Sequence, residues 1–270
     1  MRRNNQRVRS VLILVLGLLA VQAAAQSPRA ILAPTGTLRA VFLGGNPVQG
    51  RVDARTGAAS GIVPDLVKEL ARRLGVQETI IPAQDARGVI DALRNHAADI
   101  GFLAYDETRA REVDFGAAFV VMFNSYLVRA NSPIQRSADV DRAGVTVAAV
   151  KGQTQELFVS SHLQNARVRV FQTMPPEPEL ETLLTNGTVD AFAINRQRSL
   201  EAQAASNSQL RALPDSFLEV DQSVVVEKGS GEKLKAIEAF VAELRASGFI
   251  KSSIERAGLT GVDVASAVKR

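Results

Sequence analysis

Residues 65–74 read DLVKELARRL, and this stretch decides how the rest of the chain is read. Leu66, Leu70 and Leu74 recur at i, i+4 and i+8, one face of a 3.6-residue helix, and Gly75 supplies its stop. Such a helix needs an apolar surface to cover, and the flanking runs supply one. Upstream, Thr37–Leu43 (TLRAVFL) reads as a strand, followed by a polar, glycine-containing loop over residues 44–61. Downstream, residues 78–81 form a strand, and Asp85 caps a helix in which Val89, Ile90 and Leu93 face inward. Residues 100–104 are a short buried strand, and residues 119–129 contain another. This β-α-β-α rhythm predicts a parallel-rich sheet covered by helices.

The rhythm then restarts. Strands are expected at 144–150, 168–171, 189–194 and 220–227. Helices are expected at 154–163, 177–185, 196–205, 232–246 and 249–257. Two α/β units without a repeated sequence predict an α/β fold of two lobes, each a mixed sheet flanked by helices. The expected division is residues 26–127 with 219–270 for lobe 1 and 128–218 for lobe 2. The chain crosses at 124–131 and returns at 213–221, a double connection that restricts relative motion to a hinge. Ligands of such sheets sit beyond the carboxyl ends of the strands, here in the cleft.

The 270 residues are 46% hydrophobic, ample for a packed core, and include no Cys, no Trp and two Tyr. That composition excludes a disordered, collagen-like or disulfide-built chain, and the absence of Cys excludes thiolate metal sites and Cys nucleophiles. The formal charge of +4 resides in the N-terminus. Arg2, Arg3, Arg7 and Arg9 precede an apolar run at 11–20 (VLILVLGLLA), and Ala23, Ala24 and Ala25 follow. This is the pattern of a cleavable signal peptide over residues 1–25, and ten apolar residues are too few to span about 30 Å of hydrocarbon. Without those four arginines, 28 basic residues face 28 acidic ones. The mature chain is formally neutral, which removes the electrostatic case for nucleic-acid binding. It is expected in the periplasm of a Gram-negative bacterium.

Searches for catalytic patterns are negative. His96 and His162 stand apart, in no H-x-x-x-H or H-E-x-x-H pair, so neither a metal nor a cofactor is expected. No G-x-S-x-G elbow occurs, and residues 229–233 (GSGEK) lack phosphate-loop spacing. Residues 98–115 (ADIGFLAYDETRAREVDF) are more informative. A buried strand ends at Ala104, and Arg109 follows in a polar segment. A guanidinium at a strand mouth donates two parallel hydrogen bonds to a carboxylate and stays charged at any working pH. As plain surface charges, Arg109 and Arg111 would instead pair with Glu107 and Glu112.

Residues 61–70 (GIVPDLVKEL) resemble the opening helix of the periplasmic solute-binding proteins that serve ABC transporters, in particular the polar amino-acid binding family (extracellular solute-binding proteins, family 3). The resemblance continues through Ala98-Asp99-Ile100, residues 109–115 (RAREVDF), residues 144–155 (GVTVAAVKGQTQ), Val189-Asp190-Ala191 and residues 247–250 (SGFI). It spans the mature chain in order. It implies a two-lobed type II binding-protein fold that takes an amino acid or related organic acid to a membrane permease, the protein acting as a monomer. Arg109 matches the arginine that grips the ligand carboxylate. Gly152, Gln153 and Thr154 match the second-lobe donors to the same carboxylate. Gly152 is expected to turn backbone N–H groups toward the cleft, at a helix N-terminus that favours an anion; Thr154 is equally an ordinary helix cap.

Several positions depart from the family pattern. Asn195 stands where the resemblance implies an ammonium-binding Asp, and Asn carries no charge. Ala104 replaces a hydroxyl at the first-lobe strand end, and residues 44–50 offer no aromatic to pack a ligand. Asp53 or Glu156 is an alternative source of the missing charge. The resemblance therefore implies a carboxylate ligand more firmly than an amino acid. Two other roles use the same scaffold: a dehydratase of the cyclohexadienyl type, with a cleft carboxylic acid as proton donor, and a ligand-sensing subunit of a membrane receptor.

Overall fold

The computed structural model describes residues 27–266; the segment expected to be a signal peptide, residues 1–25, lies outside them. The chain opens with α1 (Pro28–Leu32), β1 (Thr37–Leu43) and a small hairpin, β2 (Arg51–Val52) with β3 (Ala59–Ser60), inside the segment read as loop. It continues through α2 (Ile62–Leu74), β4 (Gln77–Ala83), α3 (Ala86–Arg94) and β5 (Ile100–Ala104). A long strand, β6 (Val113–Arg129), leads into β7 (Thr146–Val150), α4 (Thr154–His162), β8 (Arg167–Phe171), α5 (Glu177–Thr185), β9 (Ala191–Asn195), α6 (Arg196–Ala205) and β10 (Leu210–Ala212). The return runs through β11 (Leu218–Glu227), α7 (Gly231–Ala246), α8 (Phe249–Arg256) and β12 (Val262–Val264).

Helix α2 starts at Ile62, ahead of the start suggested by the leucine repeat. Pro64 falls in its first turn, where a missing N–H removes no helical bond. Gly61 precedes it at φ 117°, and a Cβ there would stand 2.8 Å from the Gly50 Cα, so only glycine fits. Ile62, Val63, Leu66, Val67, Leu70 and Ala71 form the buried stripe, and Gly75 ends the helix at φ 65°.

The sheet is mixed, as expected of each lobe, with more antiparallel pairing than the β-α-β-α rhythm alone suggests. Its order is β4-β1-β5-β11-β6-β9-β7-β8. β1 runs parallel to β4 and β5, and β7 runs parallel to β8 and β9, as helical crossovers require. β11 and β6 enter antiparallel because they carry the chain between lobes without a crossover helix. The strand expected within 119–129 is longer for the same reason. It pairs with β11 up to Asn124, and from Asn124 onward with β9.

Alternation along these strands builds two cores in each half. Ile100 and Phe102 join Leu66, Phe119 and Val241 on one face of lobe 1, while Leu103 joins Val41, Val89 and Leu93 on the other. In lobe 2, Val147 and Ala149 pack with Tyr126 and Val159, and Ala148 and Phe192 pack with Leu127 and Leu180. One charged group fixes the register at the end of lobe 1 away from the cleft. Asp99, 1% exposed, accepts hydrogen bonds from the Arg39 backbone N (2.9 Å), Nε (3.1 Å) and Nη2 (2.7 Å). This locks the start of β5 to β1. Asp99→Ala strands the Arg39 guanidinium and is expected to cost about 2–4 kcal/mol of stability, somewhat below a fully buried pair because Arg39 is partly solvated. Urea denaturation measures it, and a loss below about 1 kcal/mol would contradict this role.

Candidate functional site

The parallel strands of both lobes point their carboxyl ends at one opening. Leu43 ends β1, Ala104 ends β5, Val150 ends β7 and Asn195 ends β9, and all four line a cavity of about 540 Å³. The N-termini of α3, α4 and α6 abut the same cavity through Asp85, Thr154 and Arg198. Met122 and Met174 contribute apolar wall, and no aromatic side chain lines it.

Arg109 sits in a single 3₁₀ turn between β5 and β6. Asp106 Oδ1 accepts from the N–H groups of Thr108 (2.9 Å) and Arg109 (3.1 Å), which fixes the turn. Arg109 is 7% exposed. Its Nη1 donates to the Ala104 carbonyl at 3.1 Å and its Nη2 to the Gly152 carbonyl at 2.8 Å, the second bond joining the two lobes. Burial pushes the guanidinium below its ordinary value, against the opposing field of Asp106. It pairs with none of its expected surface partners: Glu112 is taken by Arg87, and Glu107 makes no pair with Arg109. Of its five N–H donors three have no acceptor among the described residues. A charge buried in this way is costly unless an anion meets it.

The other expected residues reach the cavity in altered roles. Gly152 has φ 71°, as the turn into α4 demands, but its N–H faces Glu156 Oε2 at 3.2 Å and the Gln153 N–H closes on the Val150 carbonyl at 3.1 Å. Gly152 therefore presents its carbonyl to Arg109, contrary to the expectation of two inward N–H groups. The open donors lie one step later, at Thr154 and Gln155 in the first turn of α4, where no intrahelical acceptor exists. Ala104, 5% exposed, contributes its carbonyl in place of the absent hydroxyl. Asn195 lines the cavity and caps α6, its Oδ1 accepting from the Arg198 N–H at 2.8 Å. Neither alternative acid reaches the wall. Asp53 is bound to Arg55 and Thr56 in its own turn, and Glu156 holds Gly152 and Ser160.

Among the lining residues that were not anticipated, Asp85, Arg87, Arg198 and Lys151 carry charge, Lys151 at the rim. Asp85 was read as a cap, and its Oδ1 does accept from the Gly88 N–H at 2.8 Å. Arg198 was detectable only through Asn195, because an N-cap at a strand's cleft end places the helix's first turn at the cleft. Around the cavity the lobes are also held together. Gln155 Nε2 donates to Asn124 Oδ1 at 2.6 Å, and Asn124 Nδ2 donates to the Leu218 carbonyl at 3.1 Å, joining α4 to both crossing strands. Gln197 Oε1 accepts from Thr260 (2.9 Å) and Gly261 (3.2 Å), and Arg51 pairs with Glu201. His96 and His162 are exposed and outside the wall, and the described residues contain no cluster of three His, Asp or Glu placed to hold a metal.

Comparison with known proteins agrees with this architecture. The family model of the bacterial extracellular solute-binding proteins, family 3, matches residues 42–258. The L-cystine-binding protein TcyJ of Escherichia coli (strain K12) is 24% identical over 203 residues, 74% of each chain. Among solved structures, a mutant of ArgBP from T. maritima superposes with a TM-score of 0.69 at 25% identity, over 86% of this chain and 99% of its own. An ancestral amino acid-binding protein, described as a precursor of cyclohexadienyl dehydratase, gives 0.69 at 22% identity over 84% and 97%. With the matched region running from the end of β1 to the end of α8, the chain belongs to the bacterial extracellular solute-binding proteins, family 3.

Proposed function

We propose that this protein captures a small carboxylate-bearing solute in the periplasm and delivers it to an ABC permease. The lobes are residues 26–127 with 219–270 and residues 128–218, hinged at Asn124 and the returning segment before β11. The observation that carries the reading is Arg109: a buried guanidinium with spare donors and no carboxylate partner among the described residues, at the meeting point of two lobes. Thr154 and the open N–H groups of α4 give the anion a second set of donors from the opposite lobe. A solute held by both lobes favours the closed arrangement by its differential affinity. Binding rather than dehydration is supported by the wall, whose acid, Asp85, already accepts from the α3 N-terminus instead of standing as a free proton donor.

Arg109→Ala is expected to weaken binding of the cognate solute by about 2–5 kcal/mol, the range for removing a buried charged partner. Glu201→Gln breaks a largely exposed inter-lobe pair and should weaken it by less than about 1 kcal/mol. Calorimetry on both variants separates these effects, and equal losses would contradict the assignment. In a thermal-shift screen of the mature chain, a carboxylate at roughly 100 times its dissociation constant should add about 2.7 kcal/mol of stability. If only uncharged sugars or cations register, the reading fails.

A further inference from the structure

We infer that the solute is a dicarboxylate lacking an α-ammonium group, gripped by Arg109 at one end and Arg198 at the other. This rests on the cavity being the solute site and adds the chemical class of what fills it.

The charge balance of the wall points this way. Of its arginines, Arg87 is compensated by Asp91 at 2.7 Å and Glu112 at 2.9 Å. Arg109 and Arg198 have no ion-pair partner among the described residues. Arg198 stands in the first turn of α6, half-buried, and among the described residues its guanidinium makes a stretched 3.5 Å hydrogen bond from Nη1 to the Gly45 carbonyl across the cleft. Burial lowers its basicity although Glu177 and Glu201 exert an opposing field. Glu201 is itself engaged by Arg51 and by Gln197 Nε2. Lys151 adds a further exposed positive charge at the rim. Against these the wall carries one carboxylate, Asp85, and its Oδ1 is committed to the Gly88 N–H.

A zwitterionic solute would meet an unfavourable partner here. With its carboxylate on Arg109, its ammonium needs acceptors, and preferably a negative one. Asn195 is the side chain at the end of β9, and its carbonyl oxygen is spent on the Arg198 N–H. The remaining arm of that amide is a donor, which suits a carboxylate and repels an ammonium. A second carboxylate instead satisfies Arg198, and a planar fork binds it in two parallel bonds.

The test is titration calorimetry of the mature chain with the straight-chain dicarboxylates from malonate to adipate, their monocarboxylate counterparts, L-glutamate and L-arginine. At least one dicarboxylate should bind at least roughly tenfold tighter than its monocarboxylate counterpart and tighter than L-glutamate. Arg198→Gln should erase that preference, weakening the dicarboxylate far more than the monocarboxylate, and Arg198→Lys should restore part of it. Asn195→Asp keeps the helix cap and should weaken dicarboxylate binding while improving L-glutamate. If L-arginine or L-glutamate binds tightest, or if Arg198→Gln weakens both carboxylate classes equally, the dicarboxylate assignment is wrong and the carboxylate site stands. If no carboxylate binds and Arg109→Ala changes nothing, the site itself is misread.

Discussion

The hydrogen bond from Arg109 to the Gly152 carbonyl is the contact on which the site depends. It carries a buried positive charge from lobe 1 to the turn that leads into α4 of lobe 2. A carbonyl dipole satisfies a donor but does not neutralise a cation, so the charge remains a strong attractor for an anion. The remainder of the fold can be understood as the apparatus that holds this guanidinium in place. The Asx turn at Asp106 sets its backbone, the β5 terminus supplies one carbonyl, and the glycine turn before α4 supplies the other.

The two crossing strands set the place at which that contact joins the lobes. β6 and β11 run antiparallel through the boundary, and the β6 partner changes at Asn124 without a break in the strand. Asn124 also joins Gln155 of α4 to Leu218 of the returning strand. The Gln197 bonds to Thr260 and Gly261 adjoin this point, because the Gly261 carbonyl also accepts from the N–H of Phe123, next to Asn124. The pairing of Arg51 with Glu201 is more exposed and contributes little by comparison.

Most of the architecture was legible in the sequence because its elements announce themselves by period and punctuation. The leucine stripe ending at Gly75, the Asp85 cap and the short apolar runs at β1, β5 and β9 are local signals, and they fall where the structure places them. The mixed sheet of each lobe was expected, but the strand order was not legible, since it is decided by which strands cross between lobes. The hairpin at β2 and β3 was missed because two-residue strands carry no period. At the site, Arg109 and Asn195 were named through the resemblance to the family pattern, since residue type and spacing alone leave Arg109 readable as a surface charge. Which face of the Gly152 peptide turns inward, and whether Asn195 is free or capping, depend on backbone geometry that no residue type encodes. Arg198 was missed for the same reason: its meaning depends on the cap three residues before it.

The central claim is that an anion replaces carbonyls as the partner of Arg109. A crystal structure of the mature chain with a carboxylate that binds in solution tests it most directly. A carboxylate oxygen within about 3 Å of an Arg109 guanidinium nitrogen, with the lobes closed around it, is the expected result. A closed complex in which Arg109 keeps its carbonyl partners, and the carboxylate lies elsewhere, would contradict the account.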